Sequence, residues 1–87
     1  MKIVARPIQV VAWFEENGNP HPVKFKLSAE DEQFKVIKVD RVLFKEKEKL
    51  AGNSMIIFRC QSVIDEVERA YEIKYELGTC KWILYKI

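Results

Sequence analysis

At 87 residues the chain falls short of the roughly 100–200 typical of one domain, which excludes a second one and predicts a single small β domain over residues 1–87. Hydrophobic residues make up 48%, Trp13, Trp82 and five Phe among them, enough for a core without disulfide or metal staples. The formal charge of +2, from 15 basic and 13 acidic side chains interspersed along the chain, does not by itself imply a polyanionic partner.

The first seven residues lack the apolar run of a signal peptide, because Arg6 and Pro7 interrupt it, and no window approaches the roughly 18 apolar residues of a membrane span. A cytoplasmic protein with no membrane attachment is expected. From Ile8 to Glu16 apolar residues occupy one alternation (Ile8, Val10, Ala12, Phe14) and part of the other (Val11, Trp13), which predicts a strand covered on both faces or one exposing Trp13. Asn17-Gly18-Asn19-Pro20-His21-Pro22 follows, where Asn-Gly supplies positive φ and each proline lacks a ladder donor, so a turn is predicted there.

Val23-Lys24-Phe25-Lys26-Leu27 has clean period two, with Val23, Phe25 and Leu27 facing the core and both lysines facing solvent. The polar residues 28–32 read as the connection of a hairpin to a third strand starting near Gln33. In that strand Phe34 and Val36 share a face, Ile37 and Val39 lie on the other, and Val42 and Phe44 return to the first. A strand changes face only through distortion, so a bulge near Val36-Ile37 and an irregularity near Asp40 are expected, kinks that curl a sheet towards a barrel. Lys45-Glu46-Lys47-Glu48-Lys49 reads as a solvated loop, with Gly52-Asn53 as its breaker.

Residues 54–64 read as a fourth strand, with Ile56, Phe58 and Cys60 on one face and Arg59 and Gln61 on the other, before an acidic turn at 65–68. Tyr71, Ile73, Tyr75 and Leu77 alternate with Glu72, Lys74 and Glu76, and a turn at 77–79 leads to a last strand at 81–85. Because Ile64, Val67, Tyr71 and Tyr75 also fit i, i+3, i+4 spacing, a helix over 62–77 competes, opposed by the dominance of aromatic and β-branched residues. The fold class is therefore all-β: about six antiparallel strands forming a small barrel or strongly curled sheet.

Catalytic chemistry finds little footing. His21 is the only histidine and sits between two prolines in a predicted turn, so no nucleophile, base and orienting group assemble around it. The acid clusters Glu30, Asp31, Glu32 and Asp65, Glu66, Glu68 fall in predicted polar turns, where nothing desolvates a carboxylate. Cys60 and Cys80 are too few for a zinc site and read as small apolar residues. Gly18, Gly52 and Gly78 are isolated, so no phosphate loop exists. No enzyme, cofactor or metal is expected.

Lys24, Lys26, Lys35, Lys38 and Arg41 fall on two strands paired as a hairpin, and the neighbouring first strand carries Trp13. Cations for phosphates beside an aromatic face for bases are what small barrels that bind single-stranded nucleic acid combine. Outward lysines also keep a sheet soluble and blunt its edges, and Trp13 also fits a core position, so both readings stand. A third reading, a protein-interaction module that uses an open sheet edge, follows if the sheet does not close.

The run Pro7-Ile8-Gln9-Val10, Phe14-Glu15-Glu16-Asn17-Gly18, Pro22-x-x-Phe25-x-Leu27, Phe34-x-Val36-x-x-Val39, Tyr71-x-Ile73-x-Tyr75 and Trp82-x-Leu84 resembles an uncharacterised bacterial family of short β-rich proteins. Some members of that family are encoded beside, or fused to, Y-family DNA polymerases. The resemblance implies an accessory role in DNA repair, with DNA or a protein of DNA repair as partner. The chain departs from the family pattern at Leu27, where an aromatic is frequent, and in its Lys-Glu run at 45–49. The matching residues are those of core and turns, so the resemblance carries over no functional residue.

Overall fold

Period-two patterning becomes eight strands in the computed structural model, which describes residues 1–28 and 33–87: β1 (Ile3–Ile8), β2 (Val10–Phe14), β3 (Pro20–Ser28), β4 (Phe34–Lys38), β5 (Arg41–Leu50), β6 (Asn53–Ile64), β7 (Val67–Glu76) and β8 (Lys81–Lys86). They form two antiparallel sheets, of five strands in the order β1-β8-β7-β6-β5 and of three in the order β2-β3-β4. The all-β class holds, and the described residues contain no helix, hence none long and apolar enough to cross a membrane. Of residues 62–77, where a helix competes, 62–76 lie in the β6–β7 hairpin and Leu77 begins the turn after it.

Neither sheet closes on itself, so two open sheets facing each other replace the expected barrel or single curled sheet. Eight strands replace six for two local reasons. Residues 3–8 pair with β8, and the expected third strand is two strands in different sheets. The chain passes between sheets at Gln9 and again at Val39-Asp40. No bulge occurs at Val36-Ile37, since β3 and β4 pair without a break from Ser28–Phe34 to Lys24–Lys38. Phe34 and Val36 face outward and Ile37 inward, so β4 is apolar on both sides rather than kinked. The irregularity expected near Asp40 is the crossing itself, and the register shift in this stretch comes later, between Val42 and Phe44.

Two-residue turns with positive φ at both central positions join β5 to β6 (Ala51, Gly52) and β6 to β7 (Asp65, Glu66), the geometry whose twist matches that of the strands it links. The run 45–49 is consequently strand, not loop. The hairpin end between β2 and β3 is also shorter than expected: Gly18 N donates to the Glu15 carbonyl and Glu15 N to that of Asn19, after which Pro20 and Pro22 already belong to β3. By the alternation of an antiparallel ladder their nitrogens point away from β2, towards a side that β4 does not reach, so no donor is missed.

The core lies between the sheets. Phe25 and Ile37 of the smaller sheet face Ile56, Phe58, Cys60, Tyr71, Ile73, Tyr75, Trp82 and Leu84 of the larger, with Phe25 against Tyr71 at 5.3 Å between ring centroids and Phe14 edge-on to Tyr75 at 5.9 Å. Phe25 and Leu27 face inward as expected, whereas Val23, the extra residue of a bulge opposite Val11 and Ala12, is exposed. A buried polar joint accompanies the apolar contact. Ser62 Oγ donates to the Lys38 carbonyl at 2.6 Å and accepts from the Tyr71 hydroxyl at 2.5 Å. Asp40 Oδ2 accepts from Val63 N at 2.9 Å, so the crossing from β4 to β5 is tied to β6.

Candidate nucleic-acid interface

The outward face of the smaller sheet is built by alternation. Val11 and Trp13 on β2 lie opposite Lys24 and His21 on β3, while Lys24, Lys26 and Ser28 lie opposite Lys38, Val36 and Phe34 on β4. Opposed residues of an antiparallel pair share a face, so Trp13, Lys24, Lys26 and Lys38 stand together, joined by Phe34, Val36, Val11 and His21. Trp13 and Phe34 remain 55% and 57% exposed, which is unusual for side chains that ordinarily lie at least partly inside. They mark an apolar surface left without a partner in this fold.

Two of the expected residues lie elsewhere. Lys35 occupies the other alternation of β4, opposite Leu27, and its Nζ is 2.6 Å from the Asp65 carboxylate. Arg41 belongs to β5, opposite Gln61, on the outer side of the five-stranded sheet. Conversely, Phe34 and Val36, expected in the core, and His21, expected in a turn, join the face, as does Val11, which shares the alternation of Trp13. The signal that identifies Phe34 and Val36 as outward is their odd spacing from Ile37, which was read as a bulge.

His21 lies in strand β3 rather than in the turn. Its ring stacks on Trp13 at 4.0 Å between centroids and 9° between planes, and its Nε2 is 3.0 Å from Glu15 Oε2. That hydrogen bond is the main reason the Glu15 carboxyl is held below its ordinary value. These contacts hold the Trp13 ring against His21 while more than half of the residue stays exposed. At the opposite end Lys26 Nζ sits 4.5 Å over the Phe34 ring, a cation–π contact that holds a second aromatic beside an ammonium.

Among the described residues the strands of this face carry charge of one sign, and the carboxylate of Glu15 lies at its rim beside His21. β2, β3 and β4 contain four lysines and neither Asp nor Glu. Among the described residues no carboxylate pairs with Lys24, Lys26 or Lys38. The acids Glu30, Asp31 and Glu32, expected in the connection at 28–32, lie outside the described residues. Grooves of about 400 Å³, lined by Gln9, Val11, Lys24, Lys26 and Val36 among others, and about 450 Å³, lined by Gln9, Lys26, Ser28 and Phe34 among others, share Gln9 and Lys26. The arrangement offers ammonium groups to phosphates and aromatic surfaces to bases.

Among the described residues no three His, Cys, Asp or Glu side chains are grouped so as to hold a metal. No family model matches the chain, and no curated protein or solved structure matches it.

Proposed function

We propose that this protein binds single-stranded nucleic acid on the outward face of its three-stranded sheet. The observation that carries the reading is one face presenting Trp13 and Phe34 beside Lys24, Lys26 and Lys38 in a sheet whose strands contain no carboxylate. Lysines supply a sequence-independent attraction to phosphates, and flat aromatic surfaces accept any base, since every base has a π face. Bases inside a duplex are already stacked on one another, so the aromatics favour unpaired strands. A role as an accessory in DNA repair is what the family resemblance adds.

Titration of labelled single- and double-stranded oligonucleotides, following the anisotropy of the label at two salt concentrations, tests the reading. Three phosphate contacts give a slope of about −2 in log affinity against log salt for a single strand. Trp13→Ala is expected to cost about 1–3 kcal/mol of binding while leaving the salt slope unchanged, and Lys24→Gln to lower the slope by about 0.7. Absence of binding at 50 mM salt, or equal affinity for duplex, overturns it.

A second reading rests on a different observation. Both sheets are open, and of the edge strands β4 is the one with regular pairing and neither proline nor bulge: β1 carries Pro7 and an irregularity at Ala5, and register shifts interrupt β2 and β5. Such an edge accepts an added strand from a protein partner. Hydrogen exchange on the nuclease-treated complex with such a partner is then expected to protect the outward amides of β4, and unchanged exchange there overturns strand addition.

A further inference from the structure

The lysines of the Lys-Glu run have a common direction. Lys45, Lys47 and Lys49 lie opposite Phe58, Ile56 and Ser54 on β6, whereas Glu46 and Glu48 lie opposite Ile57 and Met55. Opposed residues share a face, so β5 separates its charges: lysines on the side of the core residues Ile56 and Phe58, glutamates on the outer side, where Glu48 pairs with Lys74 at 3.6 Å. The inward side of a sandwich strand is normally apolar. Here it is lysine at three successive inward positions, all exposed. Among the described residues none of the three pairs with a carboxylate, and Lys45 Nζ lies 5.6 Å from the centroid of the Phe58 ring.

Beside this row a cleft of about 430 Å³ opens, lined by Lys45, Glu46, Lys47 and Ile56 of β5 and β6, by Leu77, and by Asn17, Gly18 and Asn19 of the β2–β3 turn. That turn closes the hairpin bearing Trp13. Two contacts lead from Trp13 towards the row: Trp13 stacks on His21, and His21 bonds Glu15, whose negative charge Lys45 helps in small part to stabilise. Glu15 is the acid at the junction, and His21 and Lys45 both bear on it. Successive lysines of the row are roughly 7 Å apart along the strand, so they can meet consecutive phosphates of a stretched chain.

We propose that Lys45, Lys47 and Lys49 are a second phosphate-binding segment, which takes a single strand onward from Trp13, round the β2–β3 turn and along the inner side of β5. The inference rests on the single-strand reading above and extends its footprint. A short oligonucleotide fits on the three-stranded sheet alone, and a longer one engages the lysine row as well.

The test compares oligonucleotides of about 4 and about 12 residues, each as DNA and as RNA, on the whole chain and on a Lys45→Gln, Lys47→Gln, Lys49→Gln variant. Three additional contacts make the longer strand lose roughly 20-fold more affinity than the shorter between 50 and 200 mM salt. The variant is expected to erase that difference while binding the short strand as before. A variant that keeps the full salt dependence for the longer strand overturns the extension and leaves the face around Trp13 intact as a site. Failure of the unaltered protein to bind either length at 50 mM overturns both. Acetylation of the unaltered protein gives a readout independent of the variant's folding: the longer strand shields Lys45, Lys47 and Lys49 and the shorter one does not, and equal reactivity overturns the proposal. Parallel behaviour of the DNA and RNA arms assigns recognition to phosphate and base, whereas tighter RNA binding assigns part of it to the 2′-hydroxyl.

Discussion

Ser62 is a small residue with a large share in holding the sheets together. Fully buried, it passes a hydrogen bond from the Tyr71 hydroxyl on β7 to the Lys38 carbonyl at the end of β4. Removing the phenol leaves Ser62 its bond to Lys38, so Tyr71→Phe is expected to cost about 1 kcal/mol. Ser62→Ala strands the buried Tyr71 hydroxyl and removes the donor to the part-buried Lys38 carbonyl, and is expected to cost about 2 kcal/mol. The double variant should cost less than the sum, because the orphaned hydroxyl is gone. Urea midpoints of the three variants check this, and strict additivity would refute the shared network.

Two buried acids of weak strength set the response to alkali. Burial pushes the Cys60 thiol from its ordinary 9.0 up to about 12, and burial likewise raises the Tyr71 phenol above its ordinary 10.0, the bond to Ser62 opposing it in part. Both groups are neutral in the folded chain and ionise earlier in the unfolded one, so the folded state holds more protons. Their contribution is complete below about pH 9 and is lost as pH rises towards the folded values, at about 1.4 kcal/mol per pH unit for each group in its window. Stability measured in urea at pH 7, 9, 10 and 11 should therefore fall steeply above pH 9. Cys60→Ala should lower stability at pH 7 yet flatten the slope between pH 9 and 10; an unchanged slope there excludes the thiol as its source.

At the scale of elements, the turns decide how strands pair. Ala51 holds φ of 51° and precedes Gly52 in the β5–β6 turn, a backbone that costs a non-glycine residue about 1 kcal/mol and that asparagine tolerates better. Ala51→Asn creates the Asn-Gly pair preferred there and is expected to raise stability by about 0.5–1 kcal/mol in urea denaturation. A loss of stability would mean that the turn conformation differs from the one described.

The same scale explains what could be read from the residues alone. Strict alternation identifies β3 and β7, while β6 and β8 follow from apolar runs bounded by turn signals. β4 escaped it by being apolar on both faces, for two different reasons: Ile37 fills the core and Phe34 and Val36 form the outward surface. β5 escaped because its hydrophobic signal is absent over 45–49, where alternation of charge sign carried the period instead. Of the candidate site, Trp13, Lys24 and Lys26 are legible from parity, whereas Lys38 shares the parity of Phe34 and Val36, which are expected inward. Lys35 is misplaced by the bulge expected at Val36-Ile37, which does not occur, and Arg41 because parity does not carry across a crossing between sheets that no local pattern announces.

For the whole molecule, the two sheets contribute unequally to the core. β6 and β7 supply Ile56, Phe58, Cys60, Ile64, Tyr71, Ile73 and Tyr75, while the three-stranded sheet supplies Phe25 and Ile37 to the buried cluster. β6 and β7 are also flanked on both sides by paired strands, whereas β2 and β4 are edges. Local opening free energies follow buried contact and pairing, so the smaller sheet should open well below the cost of global unfolding. Hydrogen exchange followed by mass spectrometry is expected to show β6 and β7 exchanging only through global unfolding, with β2 and β4 faster by at least an order of magnitude. Trp13 and Lys38 sit on those two faster strands, so a ligand spanning them should slow their exchange most and leave β6 and β7 changed only by the gain in global stability. Uniform protection across both sheets in the free protein would contradict this division, and a ligand that protects β6 and β7 in preference would place its site away from the smaller sheet.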